Sequence, residues 1–193
     1  MENEMKNRFV FLFIFIVFSS ILCSQTAQEA SWSQCDYSFN VRDRIEDWLN
    51  KSFNEAKKAI KKGREYNGKH HKLPTCKIQE IESIYKNLIF EYDCSACGGC
   101  GKGGTSHPIA KVRPFVRICN PFAMYWDNRN INLNKPPNKV CGCIQGLIVH
   151  ELVHASGEHS EEGAVDCSRI LYPCADDAWG DATTDHSNCN CCD

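Results

Sequence analysis

Apolar residues recur along the chain in a few strongly patterned stretches, separated by polar segments rich in Gly, Pro and Cys. Between residues 41 and 60, Val41, Ile45, Trp48, Leu49, Phe53, Ala56 and Ile60 return at intervals of three and four. That spacing predicts an amphipathic helix, ended by Gly63. A polar loop is expected over 63–74. A second helix follows, with Ile78, Ile81, Ile84, Tyr85, Leu88 and Ile89 on one side. Residues 93–108, "DCSACGGCGKGGTSHP", read as a Gly-rich loop, and "GKGGTS" lacks the spacing of a phosphate-binding P-loop. Alternating β-branched residues over 109–119 predict a strand, which Pro114 makes an edge or bulged one. A short strand is expected at 131–133, before Pro136 and Pro137.

Residues 143–156, "CIQGLIVHELVHAS", depart from the amphipathic pattern. Ile144, Ile148, Leu152 and Ala155 share one helical face, Val149 and Val153 another, and Leu147 a third. A helix apolar on all sides is a buried one. His150, Glu151 and His154 interrupt it, and buried ionisable groups are costly unless paired or bound to metal.

The H-E-x-x-H spacing accounts for all three. Positions i and i+4 project from one helix face with Cβ atoms about 5–6 Å apart, so the two imidazoles can share one zinc ion. Glu151 beside them is placed to act as general base toward a zinc-activated water and then to protonate the leaving amine. This is the pattern of metal-assisted peptide hydrolysis.

Composition sets the compartment. The chain has 193 residues, 42% hydrophobic, with a formal charge of −2, enough for one globular domain and without the basic excess of a nucleic-acid binder. A basic run over 51–72 and an acidic stretch over 158–193 read as solvated faces. Lys6 and Arg8 precede an apolar run from Phe9, shorter than the ~20 residues that span a bilayer. Residues 1–23 are thus expected to be a secretory signal peptide cleaved somewhere in 22–30, with no stable membrane insertion afterwards. The mature chain is expected to start near 24–31, and residues 31–193 to form its single domain with a Cys-rich tail. The 14 cysteines agree with export to an oxidising compartment, as a secreted, disulfide-bonded protein. Cys94, Cys97 and Cys100 have spacings that suit either disulfides or zinc, and the oxidising compartment favours disulfides.

Through His150, Glu151, His154 and "GLIVHELVHA", the chain resembles the zincin metallopeptidases. The resemblance implies an α+β fold, a Zn2+ cofactor and a protein or peptide substrate. It also implies that residues 112–119 form a strand beside the active-site cleft, with substrate adding to the sheet edge. The metzincin continuation is broken, because Gly157 stands in place but Ser160 occupies the third histidine's position and His159 comes one residue early. "EGAVD" matches the gluzincin E-x-x-x-D pattern, which implies Glu162 as third ligand and Asp166 as acceptor for an imidazole N–H. Here Gly157 would end one helix and Ser160 cap the next. A looser similarity to the mitochondrial inner-membrane processing peptidases, through Ser160, Glu161, Ala164 and Cys167, implies Glu161 instead. Glu162, Glu161, His159 and Asp166 therefore stay open as third ligand. Cys167, Cys174, Cys189, Cys191 and Cys192 are expected to tether the tail, and Tyr172 and His186 are candidates for oxyanion stabilisation. The rival readings are a catalytically inactive zincin-like module and a Cys-rich extracellular binding protein.

Overall fold

The computed structural model of the chain describes residues 31–33, 39–94, 99–106, 113–121, 124–125, 142–175 and 188–191. The signal-peptide region, the strand expected at 131–133, Cys97, His186 and Cys192 lie outside these residues.

After a short strand β1 (Ser31–Ser33), helix α1 spans Phe39–Lys62. Its apolar stripe is buried at Ile45, Leu49, Ala56 and Ile60, as the three- and four-residue spacing requires. Gly63 ends it at φ +77°, its N–H donating to the Ala59 carbonyl at 2.7 Å. The segment expected as loop then folds into a hairpin of β2 (Arg64–Tyr66) and β3 (Lys69–His71). Its turn residues Asn67 and Gly68 both have positive φ, the conformation that the Asn-Gly pair favours. Arg64 Nη1 and the Tyr66 hydroxyl donate to the carbonyls of Leu171 and Ile170, so the hairpin docks on a helix end far along the chain.

Helix α2 (Thr75–Ile84) is shorter than the spacing predicted. Leu88 is a buried loop residue, and Ile89 opens strand β4 (Ile89–Asp93), where Phe90 and Tyr92 face the core. The apolar residues at 84, 85, 88 and 89 fit a helical stripe, while 88, 90 and 92 fit a strand. Burial of both aromatic rings decides for the strand. Next come β5 (Gly101–Ser106) and β6 (Arg113–Cys119). The four-stranded sheet runs β1-β4-β6-β5, with β4 parallel to β1 and β6, and β5 antiparallel to β6.

Two expectations change here. The Gly-rich segment supplies a strand, and among the described residues that strand β5, not β6, lies at an edge of the sheet, opposite β1. Pro114 is tolerated inside β6 because it pairs only with Thr105 of β5, while pairing with β4 begins at Phe115.

Helix α3 (Ile144–Ala155) is buried over most of its circumference, packed against α1, α2, β5, β6 and helix α4 (Glu161–Leu171). Its polar Gln145 is accommodated by donating to Glu55 of α1 at 2.9 Å. Disulfides join Cys76 to Cys191, Cys143 to Cys174 and Cys167 to Cys189. The tail is thereby tied to α2 and α4, and the start of α3 to the segment after α4. Cys94, Cys100 and Cys119 are also disulfide-bonded, so the cysteine cluster of the Gly-rich segment is used for cross-linking at both of its described positions. The chain is a mixed α+β protein with small sheets and multiple disulfides. No helix among the described residues is long and apolar enough to cross a membrane.

Candidate metal centre

The site forms where α3 and α4 meet. Helix α3 ends at Ala155, and Gly157, at φ +119°, turns the chain with its N–H on the His154 carbonyl at 3.1 Å. Ser160 then caps α4, its Oγ accepting from Gly163 N at 3.1 Å, with Glu161 and Glu162 in the first turn. Five residues, 156–160, join the two helices. The turn is tight enough to bring the first residue of α4 back over the last turn of α3.

That residue is Glu161. Its Oε2 lies 3.2 Å from His150 Nε2 and its Oε1 3.5 Å from His154 Nε2, while the two Nε2 atoms are 3.1 Å apart. Ligands held tetrahedrally at about 2.0–2.2 Å from a zinc ion stand roughly 3.3–3.6 Å from one another. The three atoms are therefore spaced much as a zinc ion would space them. Among the described residues they form the one His/Cys/Asp/Glu group compact enough to hold a metal ion.

Both imidazoles are 12% exposed, whereas Glu161 is 69% exposed. Burial, then the neighbouring His154, pushes the His150 pKa down to about 4, against an opposing pull from Glu161. His150 is thus neutral at physiological pH, with a nitrogen lone pair available to a metal. His154 Nδ1 donates to the Glu158 carbonyl at 2.8 Å, which turns Nε2 toward the same point. His150 Nδ1 is buried without a hydrogen-bond partner among the described residues.

The other sequence-predicted residues fall elsewhere. Glu162 is exposed, and one position further along α4 rotates it by about 100° from Glu161. The short turn sets the phase of α4 so that 161 rather than 162 faces the histidines. His159 is exposed in the turn and outside the group. Asp166, expected to accept an imidazole N–H, is buried and accepts from Asn188 N at 3.2 Å, anchoring the tail. The orienting role at His154 falls to the Glu158 main chain instead. Tyr172 is packed at the end of α4 with Arg64 4.6 Å from its ring centre, and burial pushes its hydroxyl up to about 12.

Glu151 is 4% exposed and turned toward β5. A Cβ added to Gly101 would lie 2.8 Å from the Glu151 Cδ, and one on Gly103 would lie 2.9 Å from its main-chain carbonyl carbon. Two glycines at alternate positions thus give β5 a bare face on which α3 rests. Period-two glycine in "GKGG" was the available signal for this strand. Gly103→Ala is expected to lower folding stability by about 2–3 kcal/mol, since the obstacle is backbone and cannot swing aside. A urea midpoint equal to wild type would contradict that packing.

Glu158 binds the turn together. Against the upward push of burial, the Ser160 amide and hydroxyl, Lys77 and His154 hold its carboxyl below the usual value. No family model, curated protein or solved structure matches the chain.

Proposed function

We propose that this chain is a secreted, zinc-dependent metallopeptidase with a zincin-like arrangement of its sheet and motif helix. One observation carries the reading: His150 Nε2, His154 Nε2 and the Glu161 carboxylate converge at 3.1–3.5 Å where the motif helix meets α4. The donor set, two imidazoles and one carboxylate, is one that catalytic zinc accepts with a coordination position to spare. Zinc held there supplies Lewis acidity toward water and toward a peptide carbonyl.

The chain's own groups supply the rest. Glu151, one residue from His150 on the motif helix, takes a proton from the attacking water and returns it to the leaving amine. Its carboxyl group is buried between α3 and β5, shielded from bulk water. His154 is held in its ligating tautomer by the Glu158 carbonyl. Among the described residues β5 is laddered to β6 alone, and its other edge is where an extended peptide would add. Gly101 and Gly103 bring that strand against Glu151, so a peptide added to it would run near the proposed general base. The disulfides support the secretory assignment, because an oxidising compartment is where they persist.

The test is metal content and proteolysis on the purified mature chain. Near-stoichiometric zinc and casein cleavage are expected. Chelation is expected to abolish cleavage, and added zinc to restore it. Wild-type protein without zinc would sink the site, and zinc without cleavage would leave the binding-module reading in its place.

A further inference from the structure

Lys77, in α2, is the unusual charge of this fold. Its side chain is fully buried, where lysine is rarely found unless paired. The ammonium lies 2.8 Å from Glu80 Oε2, off-axis for a hydrogen bond, and 3.8 Å from Glu158 Oε2. Glu80 belongs to its own helix, three residues on. Glu158 belongs to the turn between α3 and α4.

Each part of Glu158 touches a different piece of the metal centre. The main-chain carbonyl accepts the His154 Nδ1–H at 2.8 Å. Carboxylate Oε1 accepts from Ser160 N at 3.0 Å and Ser160 Oγ at 2.9 Å, and that hydroxyl in turn caps α4 through Gly163 N. The fit is close: a Cβ on Gly163 would stand 2.8 Å from both Glu158 Cδ and Ser160 Oγ. The orientation of His154 and the start of α4, where Glu161 sits, therefore depend on one residue. The other carboxylate oxygen of that residue faces a buried cation from α2.

We infer that Lys77 is a positioning residue for the metal centre, anchoring Glu158 so that the turn holds His154 and Glu161 toward a common point. The inference rests on the reading of His150, His154 and Glu161 as metal ligands. Lys77 touches none of them and acts through Glu158. With the ammonium removed, Glu158 Oε2 has lost its buried countercharge and the carboxylate turns toward water. The turn then relaxes, and the His154 N–H loses its fixed acceptor. A lysine that served only to stabilise α2 would act through Glu80 and leave the turn unchanged.

The test compares Lys77→Met, Lys77→Arg, Glu80→Gln and Glu158→Gln with wild type in the full mature chain. Zinc affinity is measured by competitive titration, the imidazole tautomers of the metal-free protein by long-range proton–nitrogen NMR, and the fold by urea denaturation. Wild type is expected to show His154 protonated on Nδ1. Lys77→Met is expected to mix the two tautomers and lose zinc affinity by about 10–100-fold, the usual cost of losing an orienting partner. Lys77→Arg should recover most of the loss, and Glu80→Gln should keep the wild-type tautomer and affinity. If Lys77→Met does not fold, Glu158→Gln, at a site that reaches the surface, carries the comparison with the same expected direction. Wild-type tautomer and affinity in Lys77→Met, or in Glu158→Gln where that variant stands in, overturn the proposal alone. A wild-type chain that binds no zinc overturns the metal-centre reading and the proposal with it.

Discussion

Replacing Glu151 by Gln is expected to reduce kcat/KM for peptide hydrolysis by about 10²–10⁴-fold while leaving zinc content unchanged. That range corresponds to roughly 3–5.5 kcal/mol of lost transition-state stabilisation. The substitution suits the site. Glu151 is 4% exposed, so a change of volume would disturb packing against the bare face of β5 and confuse chemistry with folding. Gln keeps the shape and the capacity to accept a hydrogen bond but cannot take up a proton at neutral pH. It also stands outside the group formed by His150, His154 and Glu161, so the metal should remain. The loss should appear mainly in kcat, since Glu151 is proposed to act in the transition state rather than in binding peptide. Equal cleavage by wild type and Glu151→Gln, each with stoichiometric zinc, would remove Glu151 from the mechanism. Loss of zinc in the variant would instead give Glu151 a part in holding the metal.

What could be foreseen from the sequence depended on whether side-chain pattern or backbone geometry decides the feature. The motif helix was legible because its residues are apolar on nearly every face, so His150, Glu151 and His154 stood out as groups that need a partner. The C-terminal Gly157 and the cap at Ser160 were legible for a similar reason, since each residue type fits a particular backbone task. Strand β5 was hidden because its facing residues are glycines, and a strand without side chains shows no alternation of apolar and polar positions. The spacing at Gly101 and Gly103 becomes informative only once α3 is known to lie against it. Strand β4 was hidden differently, by apolar residues that satisfy the helical and extended periods at once. The hairpin turn at Asn67-Gly68 was legible in its residue types, since both positions take the positive φ that this pair favours. The choice between Glu161 and Glu162 was not legible, because it depends on the rotational phase at which α4 leaves a five-residue turn. Local sequence does not specify that phase. It follows from packing that includes a lysine more than eighty positions earlier in the chain.

The same phase makes Glu161→Gln and Glu162→Gln a matched pair with unequal expected results. Glu161→Gln should weaken zinc binding by at least the ~100-fold that loss of an outer partner can cost, because a carboxylate lying 3.2 and 3.5 Å from the two imidazole nitrogens is removed. Glu162→Gln should change affinity by no more than about twofold, the effect of an ordinary surface substitution. Both residues occupy the first turn of α4, so each substitution removes one negative charge from the same helix N-terminus. That interaction, about 0.3–1 kcal/mol, is common to the pair and cancels in the comparison. Long-range attraction of the cation to an acidic surface cancels in the same way. What remains in the difference between the two variants is direct ligation. Competitive zinc titration of both, with urea denaturation of the metal-free forms to confirm equal stability, reads that difference. A larger loss in Glu162→Gln would mean that metal binding rotates α4 away from the phase described here. Equal small losses would leave the two histidines without a carboxylate partner, a site too open for tight zinc binding.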